Sequence, residues 1–267
     1  MFKFMSFGSG SSGNCYLLLT EGDGLLIDVG IGVRTLKRFF SDYGLSLDRV
    51  HHVLITHDHA DHVKSVGSFS RDYHVPVYAT RSVHHGIVSN YCVRRKILPV
   101  DTMYLEVGST CQLGDFNVTC FSVPHDSAGN VGYMITYEGV NFCLITDAGH
   151  VTDEMRSFIS KANYLVIEAN HDEEMLRRGT YPEYLKTRVG GAEGHLSNRD
   201  CAIALAENAS PCLRQVWLCH LSEENNHPEL ARKTVEMVLR EHGLVVGKDF
   251  MLDVLKRTKP SVLYDLT

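Results

Sequence analysis

Short apolar runs alternate with polar or small residues along most of the chain. Runs of β-branched and apolar residues bounded by turn residues are typical of β-strands, and they occur at Cys15–Leu19, Gly24–Ile27, Val53–Ile55, Val75–Tyr78, Phe116–Val123, Val131–Tyr137, Phe142–Ile145, Leu165–Ile167 and Val216–Cys219. Helical spacing of apolar residues occurs at Val33–Tyr43, Ser65–Asp72, Asp153–Lys161, Asp200–Asn208 and Pro228–His242. Early hairpins with interspersed helices predict two sheets covered by helices rather than one parallel sheet.

Length and composition indicate one globular domain. The chain has 267 residues, of which 44% are hydrophobic, and no repeat or Pro/Ser-rich linker divides it. No apolar run approaches the roughly 20 residues that cross a bilayer. The amino terminus lacks the apolar core of a secretory signal. We therefore expect a single soluble domain over residues 1–267, located in the cytoplasm and without a membrane partner.

Charge and cysteine content limit the possible partners. The net charge of −6 would repel a polyanion, so a nucleic acid would have to be held by a local patch or by metal. The eight cysteines contain no C-x-x-C pair and mostly lie among apolar residues. We interpret them as reduced core thiols.

Histidine is the informative residue type, with 15 copies, several of them beside aspartate. The segment Thr56–His62 follows a predicted strand directly. Imidazoles at i and i+2, as at His57 and His59, can converge on one ion, and Asp61 with His62 can serve a second ion if a helix begins there. A polar loop that happens to hold these residues is the simpler alternative, but the strand immediately before it favours a metal site.

Three further predicted strands end in a possible ligand. His125, Asp147 and His220 each follow such a strand, and groups at strand ends converge on one crevice in α/β proteins. Singly, each has a structural alternative, such as a turn cap for Asp147. Their joint occurrence favours a common metal centre.

The chain resembles the metallo-β-lactamase superfamily in these same residues. The segment His57-x-His59-x-Asp61-His62 matches its signature, and His125, Asp147 and His220 match its later single-ligand motifs. Leu26-Ile27-Asp28-x-Gly30 matches its early strand and turn.

Within that superfamily the chain looks like the YycJ (WalJ) family of bacterial hydrolases, which is similar to DNA 5′-exonucleases. Four segments carry this resemblance, namely Gly8–Asn14, Glu168–Asp172, Gly194–Asn198 and His220–Asn226.

The resemblance implies an αββα sandwich and two divalent ions, Zn or Mn. It assigns His57, His59 and His125 to the first ion, Asp61, His62 and His220 to the second, and Asp147 to both. It also implies that Asp28 hydrogen-bonds a histidine or the motif loop and so fixes ligand orientation. From the residues alone, a turn-forming aspartate is an equally good interpretation of Asp28.

Paired ions would activate a bridging hydroxide for attack on phosphorus, which makes Asp61 essential for catalysis. The chain has no G-x-S-x-G nucleophile elbow. His195 is the candidate proton donor to the leaving group, with His171 as a second choice. Ser197 and Asn198, at a predicted helix start, are candidates for phosphate binding. The alternative is that one of them only caps the helix and His195 is exposed to solvent.

Two other segments have possible roles in substrate binding. Ser11 lies in a Gly/Ser-rich loop that can approach a phosphate closely, although a flexible turn explains the loop equally well. The stretch 177–188 interleaves arginine and lysine with tyrosine, as in single-strand binding surfaces. The cluster 94–96 is also basic. Such runs are more often solvated surface.

These features favour a phosphodiesterase acting on nucleic acid, specifically a 5′-to-3′ exonuclease with DNA preferred over RNA. A thioester or lactone hydrolase of the glyoxalase II type would use an equivalent ligand set. A metal-binding regulatory protein without turnover is a third hypothesis. The Ser/Gly-rich loop and the segment Gly194–Asn198 favour phosphate over a carbonyl substrate, and the complete ligand set favours catalysis.

Overall fold

A computed structural model describes residues 1–266. The strands are β1 (Lys3–Gly8), β2 (Cys15–Leu19), β3 (Gly24–Ile27), β4 (His52–Leu54), β5 (Val77–Ala79), β6 (Thr102–Tyr104), β7 (Thr110–Leu113), β8 (Phe116–Ser122), β9 (Val131–Tyr137), β10 (Val140–Ile145), β11 (Tyr164–Glu168), β12 (Gln215–Cys219), β13 (Met251–Val254) and β14 (Tyr264–Asp265). The α-helices are α1 (Val33–Asp42), α2 (Ala60–Val63), α3 (Val66–Tyr73), α4 (Arg81–Ser89), α5 (Asp153–Lys161), α6 (Glu173–Arg178), α7 (Glu183–Val189), α8 (Asn198–Asn208) and α9 (Pro228–Glu241).

The first of two compact units comprises residues 1–120, 127–130 and the segment from Lys256 onwards. Its sheet has the order β14-β1-β2-β3-β4-β5-β6, antiparallel from β14 to β3 and parallel from β3 to β6. Strands β2 and β3 are buried along their whole length. The α1 side chain Phe40 packs on Phe7 of β1, with ring centroids 4.9 Å apart. This core fixes the strand ends from which the histidine motif begins.

The second unit comprises residues 121–126 and 131–255. Its strands have the order β13-β12-β11-β10-β9, with β9 and β10 antiparallel and β10 to β13 parallel. Helices α5, α8 and α9 supply buried side chains to its core, including Ile159, Leu205 and Val235. Because β10, β11 and β12 are parallel, their carboxyl ends lie at one edge of the sheet.

The prediction of two mixed sheets with accompanying helices is confirmed. Strands β2, β3 and β9 and helix α5 have the bounds predicted from sequence. Helix α5 begins there because Thr152 caps it, accepting a hydrogen bond from the Met155 amide, and because acidic residues occupy its first turn. The division into one domain over residues 1–267 stays a prediction.

Several elements were not predicted, and each has a weak local signal. Strand β1 is short, contains Lys3 and Ser6 among its apolar residues, and ends in the Gly/Ser-rich loop. Helix α4 contains two histidines and Gly86, all poor helix formers, and it depends on the Thr80 N-cap. Helices α6 and α7 have only 6 and 7 residues. Among residues 1–266, no helix is long and apolar enough to span a bilayer.

Candidate metal-binding clusters

The histidine motif of the first unit lies where two parallel strands end. Strands β3 and β4 pair with Ile27 opposite Leu54, so Asp28 and the motif emerge at the same sheet edge. Helix α2 begins at Ala60, with His59 as its N-cap, which puts Asp61 and His62 in its first turn. The ring centroid of His57 lies 4.0 Å from that of His62 and 4.7 Å from that of His59. The helix start required by the sequence interpretation is therefore present.

Asp28 orients His62. Its Oδ2 lies 2.7 Å from His62 Nδ1, and its carboxylate also accepts hydrogen bonds from the amide and hydroxyl of Thr56, both at 2.9 Å. Asp28 and His62 are fully buried. A proton on His62 Nδ1 leaves Nε2 as the ring nitrogen with a lone pair. The side-chain amide nitrogen of Asn14 lies 2.9 Å from this Nε2. The predicted contact of Asp28 with a histidine is confirmed.

Replacement of Asp28 should weaken metal binding while preserving the fold. In Asp28→Asn the Oδ1 contact to Thr56 can persist, but an amide nitrogen would replace the oxygen that faces His62 Nδ1. We expect zinc affinity to fall about 10- to 100-fold, as is typical when the partner of a ligating histidine is lost. Competition with a chromophoric chelator measures this affinity.

Asp23→Asn is the matched control. Asp23 is also a buried aspartate held by histidines, with contacts of 2.7 Å to His51 Nδ1 and 3.1 Å to His52 Nε2. These residues lie outside the motif, so zinc affinity should be unchanged. Equal losses in the two variants would contradict a specific role for Asp28.

The Gly/Ser-rich loop is held against the motif. The Asn14 amide N–H donates to the Asp61 carbonyl at 2.8 Å, and the Asn14 side chain accepts a hydrogen bond from the Gly10 amide. A β-carbon at Gly30 would overlap the Asp61 carbonyl, so glycine is required at that close approach. Ser11 is exposed at the tip of the loop. Its role in substrate binding stays a prediction.

A second cluster lies at the strand ends of the second unit. Ligand atoms of Asp147, Glu168, His195 and His220 all lie within 4.8 Å of one another. His125 Nε2 is 3.9 Å from Asp147 Oδ1, and its Nδ1 donates to the Gly194 carbonyl at 2.9 Å. The predicted strand-end residues of this unit thus converge.

Glu168 is the central residue of this cluster, and sequence reasoning missed its role. Its fully buried carboxylate accepts hydrogen bonds from Nδ1 of His195 (2.8 Å) and of His220 (3.0 Å), and from the amides of Ala148 (2.8 Å) and Leu196 (3.2 Å). The sequence analysis took a polar residue at the end of β8, β10 or β12 as a possible ligand. The same reasoning applied to β11 would have identified Glu168, because it is the last residue of that strand.

Electrostatics within the cluster favour a charged pair. Burial raises the pKa of Glu168, but the attraction and hydrogen bonds of His195 and His220 outweigh this and lower its pKa to about 2. Burial lowers the pKa of His195, but the nearby Glu168 and Asp147 carboxylates more than compensate, so its pKa is raised. His195 is therefore positioned and polarised by Glu168.

Ser197 and Asn198 take part in the internal structure. The Ser197 hydroxyl accepts a hydrogen bond from the Asp200 amide at 3.0 Å and caps α8. Asn198 is buried and hydrogen-bonded to Asn226. These contacts favour the alternative in which Ser197 only caps the helix. That alternative also expected His195 to be exposed to solvent, but its side chain is only 19% exposed. Substrate binding by Ser197 and Asn198 stays a prediction.

Three residues of the two clusters have a left-handed backbone. Asp28 has φ of 61°, Asp147 of 53° and His220 of 52°, each just after a strand. This conformation is uncommon for residues other than glycine and tends to occur at functional sites. All three residues therefore keep an unfavourable backbone conformation within the two clusters.

The basic stretch of the second unit is neutralised locally. Arg177 and Arg178 contact Glu174, Lys186 contacts Glu183, and Arg188 contacts Asp126. These ion pairs favour the solvated-surface interpretation.

The donor chemistry of both clusters fits divalent metal ions. Imidazole nitrogens and carboxylate oxygens are the ligands typical of Zn and Mn sites. In each cluster a buried carboxylate holds a histidine by Nδ1, as Asp28 holds His62 and Glu168 holds His220. Among residues 1–266, neither cluster includes a cysteine.

Comparisons with known proteins agree with this chemistry. The beta-lactamase superfamily domain model matches residues 24–221. The exodeoxyribonuclease YycJ of Bacillus anthracis is 37% identical over 251 residues, covering 92% of each chain. The exodeoxyribonuclease WalJ of Streptococcus pneumoniae is 35% identical over 249 residues, covering 93% of this chain and 92% of the relative.

Among solved structures, the metallo-β-lactamase fold protein YhfI of Bacillus subtilis aligns with a TM-score of 0.72 at 16% identity, over 98% of this chain and 99% of that one. This likeness confirms the predicted fold class. The match over most of the chain, together with the ligand types in both clusters, shows that this metal-dependent hydrolase belongs to the YycJ/WalJ family of the metallo-β-lactamase superfamily.

Proposed function

We propose that the protein is a dinuclear-metal-dependent phosphodiesterase that degrades DNA from the 5′ end. The observation that carries this proposal is that every motif ligand is present and that a buried carboxylate or carbonyl holds His62, His125 and His220 by Nδ1. Both relatives are named as exodeoxyribonucleases, which supports the substrate class.

The proposed ligands follow the order of the family motifs. His57, His59 and His125 would hold one ion, Asp61, His62 and His220 would hold the other, and Asp147 would serve both. The ions are Zn or Mn, since all these ligands are imidazole or carboxylate. When bound, two such ions activate water near neutral pH and stabilise negative charge on the phosphate oxygens.

The protein's own residues supply proton transfer and orientation. His195, with its pKa raised by Glu168 and Asp147, donates a proton to the leaving oxygen. Glu168 holds its ring by Nδ1, which directs Nε2 away from the carboxylate. Ser11, exposed on its loop, contacts a substrate phosphate. Ser197 and Asn198 fix the start of α8 beside His195, and from there they would also contact a substrate phosphate.

Two rival functions remain distinct from this proposal. A thioester or lactone hydrolase would use the same ions against a carbonyl carbon. A regulatory metal protein would bind the ions without turnover. The cytoplasmic location stays a prediction.

Substrate comparison tests the proposal. Metal-loaded protein is incubated with a 3′-labelled oligonucleotide bearing either a 5′-phosphate or a 5′-hydroxyl, with matched RNA, and with a glutathione thioester. We expect stepwise shortening of the DNA from its 5′ end and little thioester cleavage. Thioester turnover with inert oligonucleotides would identify the carbonyl hydrolase, and binding of metal without any turnover would identify the regulatory protein.

A further inference from the structure

A surface groove in the first unit lies between helix α4 and the segment that leads into β6. Its volume is about 480 Å³, and its lining residues are Arg81, His84, His85, Ile87, Val88, Lys96, Ile97, Pro99, Thr102 and Tyr104. None of these ten residues is acidic, although the chain as a whole has a net charge of −6. The groove is therefore a locally cationic and apolar surface.

An exposed aromatic ring dominates the groove. Tyr104 is 51% exposed, the guanidinium of Arg81 lies 4.4 Å from its ring centroid, and the ring of His84 meets it edge-on at 5.3 Å. Val88, which also lines the groove, is 64% exposed and extends the apolar surface. Arg81 covers one face of the ring, and the half of Tyr104 that stays exposed offers stacking to a planar base, with the guanidinium placed to attract its phosphate.

Internal contacts fix both walls of the groove. The Lys96 ammonium donates to the carbonyls of Ile87 at 3.1 Å and Asn90 at 2.7 Å, joining the loop to the end of α4. Thr102 donates to the Leu98 carbonyl at 2.9 Å. A preformed surface loses less conformational entropy when a ligand binds.

Helix α4 also contacts the histidine motif. The Asn90 side chain donates to the Asp58 carbonyl at 2.7 Å, and a β-carbon at Gly86 would overlap the Asp58 carboxylate. One helix thus forms a wall of the groove and packs against the segment that carries His57 and His59. The groove and the histidine motif therefore belong to the same structural unit. A nucleic-acid strand whose end reacts at the motif would have the groove available for its remaining nucleotides.

We propose that this groove binds single-stranded nucleic acid, with a base stacked on Tyr104 and its phosphates beside Arg81 and Lys96. The inference deepens the proposed function and rests on it, because it holds the part of the substrate strand beyond the reacting end. Nucleic acid fits better than an acidic peptide because the half-exposed Tyr104 ring and the guanidinium over it can stack with a flat base, whereas a carboxylate would use only the cations.

Binding without turnover tests the groove directly. A fluorescent single-stranded 20-mer is titrated with the full chain in EDTA, and anisotropy gives the dissociation constant. We expect Tyr104→Ala to weaken binding about 5- to 20-fold, given the usual contribution of one stacked base. Tyr104→Phe should retain binding, and Arg81→Gln should weaken it and reduce its salt dependence.

Controls separate this inference from its alternatives. Tyr43→Ala removes another exposed tyrosine of the same unit, outside the groove, and should bind like the wild type. Unchanged binding by Tyr104→Ala, or a loss found instead in Tyr184→Ala of the basic stretch, would overturn the proposal. Equal competition by a poly-glutamate peptide would overturn it in favour of a protein partner.

Failure of the proposed function has a separate readout. Hydrolysis of bis(4-nitrophenyl) phosphate by the metal-loaded wild type reports phosphodiesterase chemistry without using the groove. Absence of any phosphodiesterase activity would refute the proposed function, whereas the binding experiment in EDTA would still decide whether the groove holds a strand.

Discussion

Asp61→Ala is expected to lower kcat/KM on a 5′-phosphorylated oligonucleotide by about 10³-fold or more, which corresponds to about 4 kcal/mol of transition-state stabilisation. The reason is that the substitution removes a carboxylate from the first turn of α2, where it lies beside His62. Loss of one ion from a paired centre removes charge stabilisation worth several kcal/mol. Activity assays and elemental analysis of the desalted protein measure the two effects together.

Asp42→Ala is the control for this prediction. Asp42 is exposed at the end of α1, so its loss should change neither the metal content nor the activity. The denaturation midpoint of each metal-free variant shows whether its fold is intact. Full metal content with more than a tenth of wild-type activity in Asp61→Ala would contradict the ligand assignment.

Glu168→Gln is expected to have the largest effect on stability. Glutamine offers one carbonyl oxygen where the glutamate accepts four hydrogen bonds, and its NH₂ group would face donors in a fully buried position. Disruption of a buried charged network costs about 3–5 kcal/mol. Urea unfolding of the protein after its metal has been removed with a chelator measures this loss of stability. Competition with a chromophoric chelator should show a metal affinity reduced about 10- to 100-fold.

Glu174→Gln is the matched control, because it is the same substitution at an exposed glutamate that contacts Arg177 and Arg178. Surface ion pairs contribute about 0–1 kcal/mol, so the free energy of unfolding should change little. If Glu168→Gln unfolded at the same urea concentration as this control and bound metal equally well, Glu168 would not be a positioning residue.

The strand-end ligands were predictable because they depend on a local pattern. A buried strand followed at once by His or Asp gives a position, and parallel pairing brings such positions to one edge. This logic found His125, Asp147 and His220, and it found the motif after β4. The helix start at Ala60 was only a condition for Asp61 and His62 to serve a second ion, and the structure supplies it.

Contacts between distant segments were much harder to predict. Glu168 acts through the ring nitrogens of His195 and His220, which lie 27 and 52 positions away, and no local spacing shows that relation. The groove beside α4 depends on a helix whose own propensity is weak. Whether a charged residue is free or paired, as with Arg188 and Asp126, also depends on tertiary neighbours.

The left-handed backbone conformation of the residues after β3, β10 and β12 affects how the sequence of this chain can change in evolution. An L-residue in that conformation costs about 1 kcal/mol relative to glycine, so the proposed ligand positions Asp147 and His220 keep a destabilised backbone. A glycine at either position would relieve this cost and offset part of the lost side-chain contacts, while it would remove a ligand. With the proposed ligand assignment, a descendant that folds normally but has lost hydrolytic activity is therefore only one substitution away.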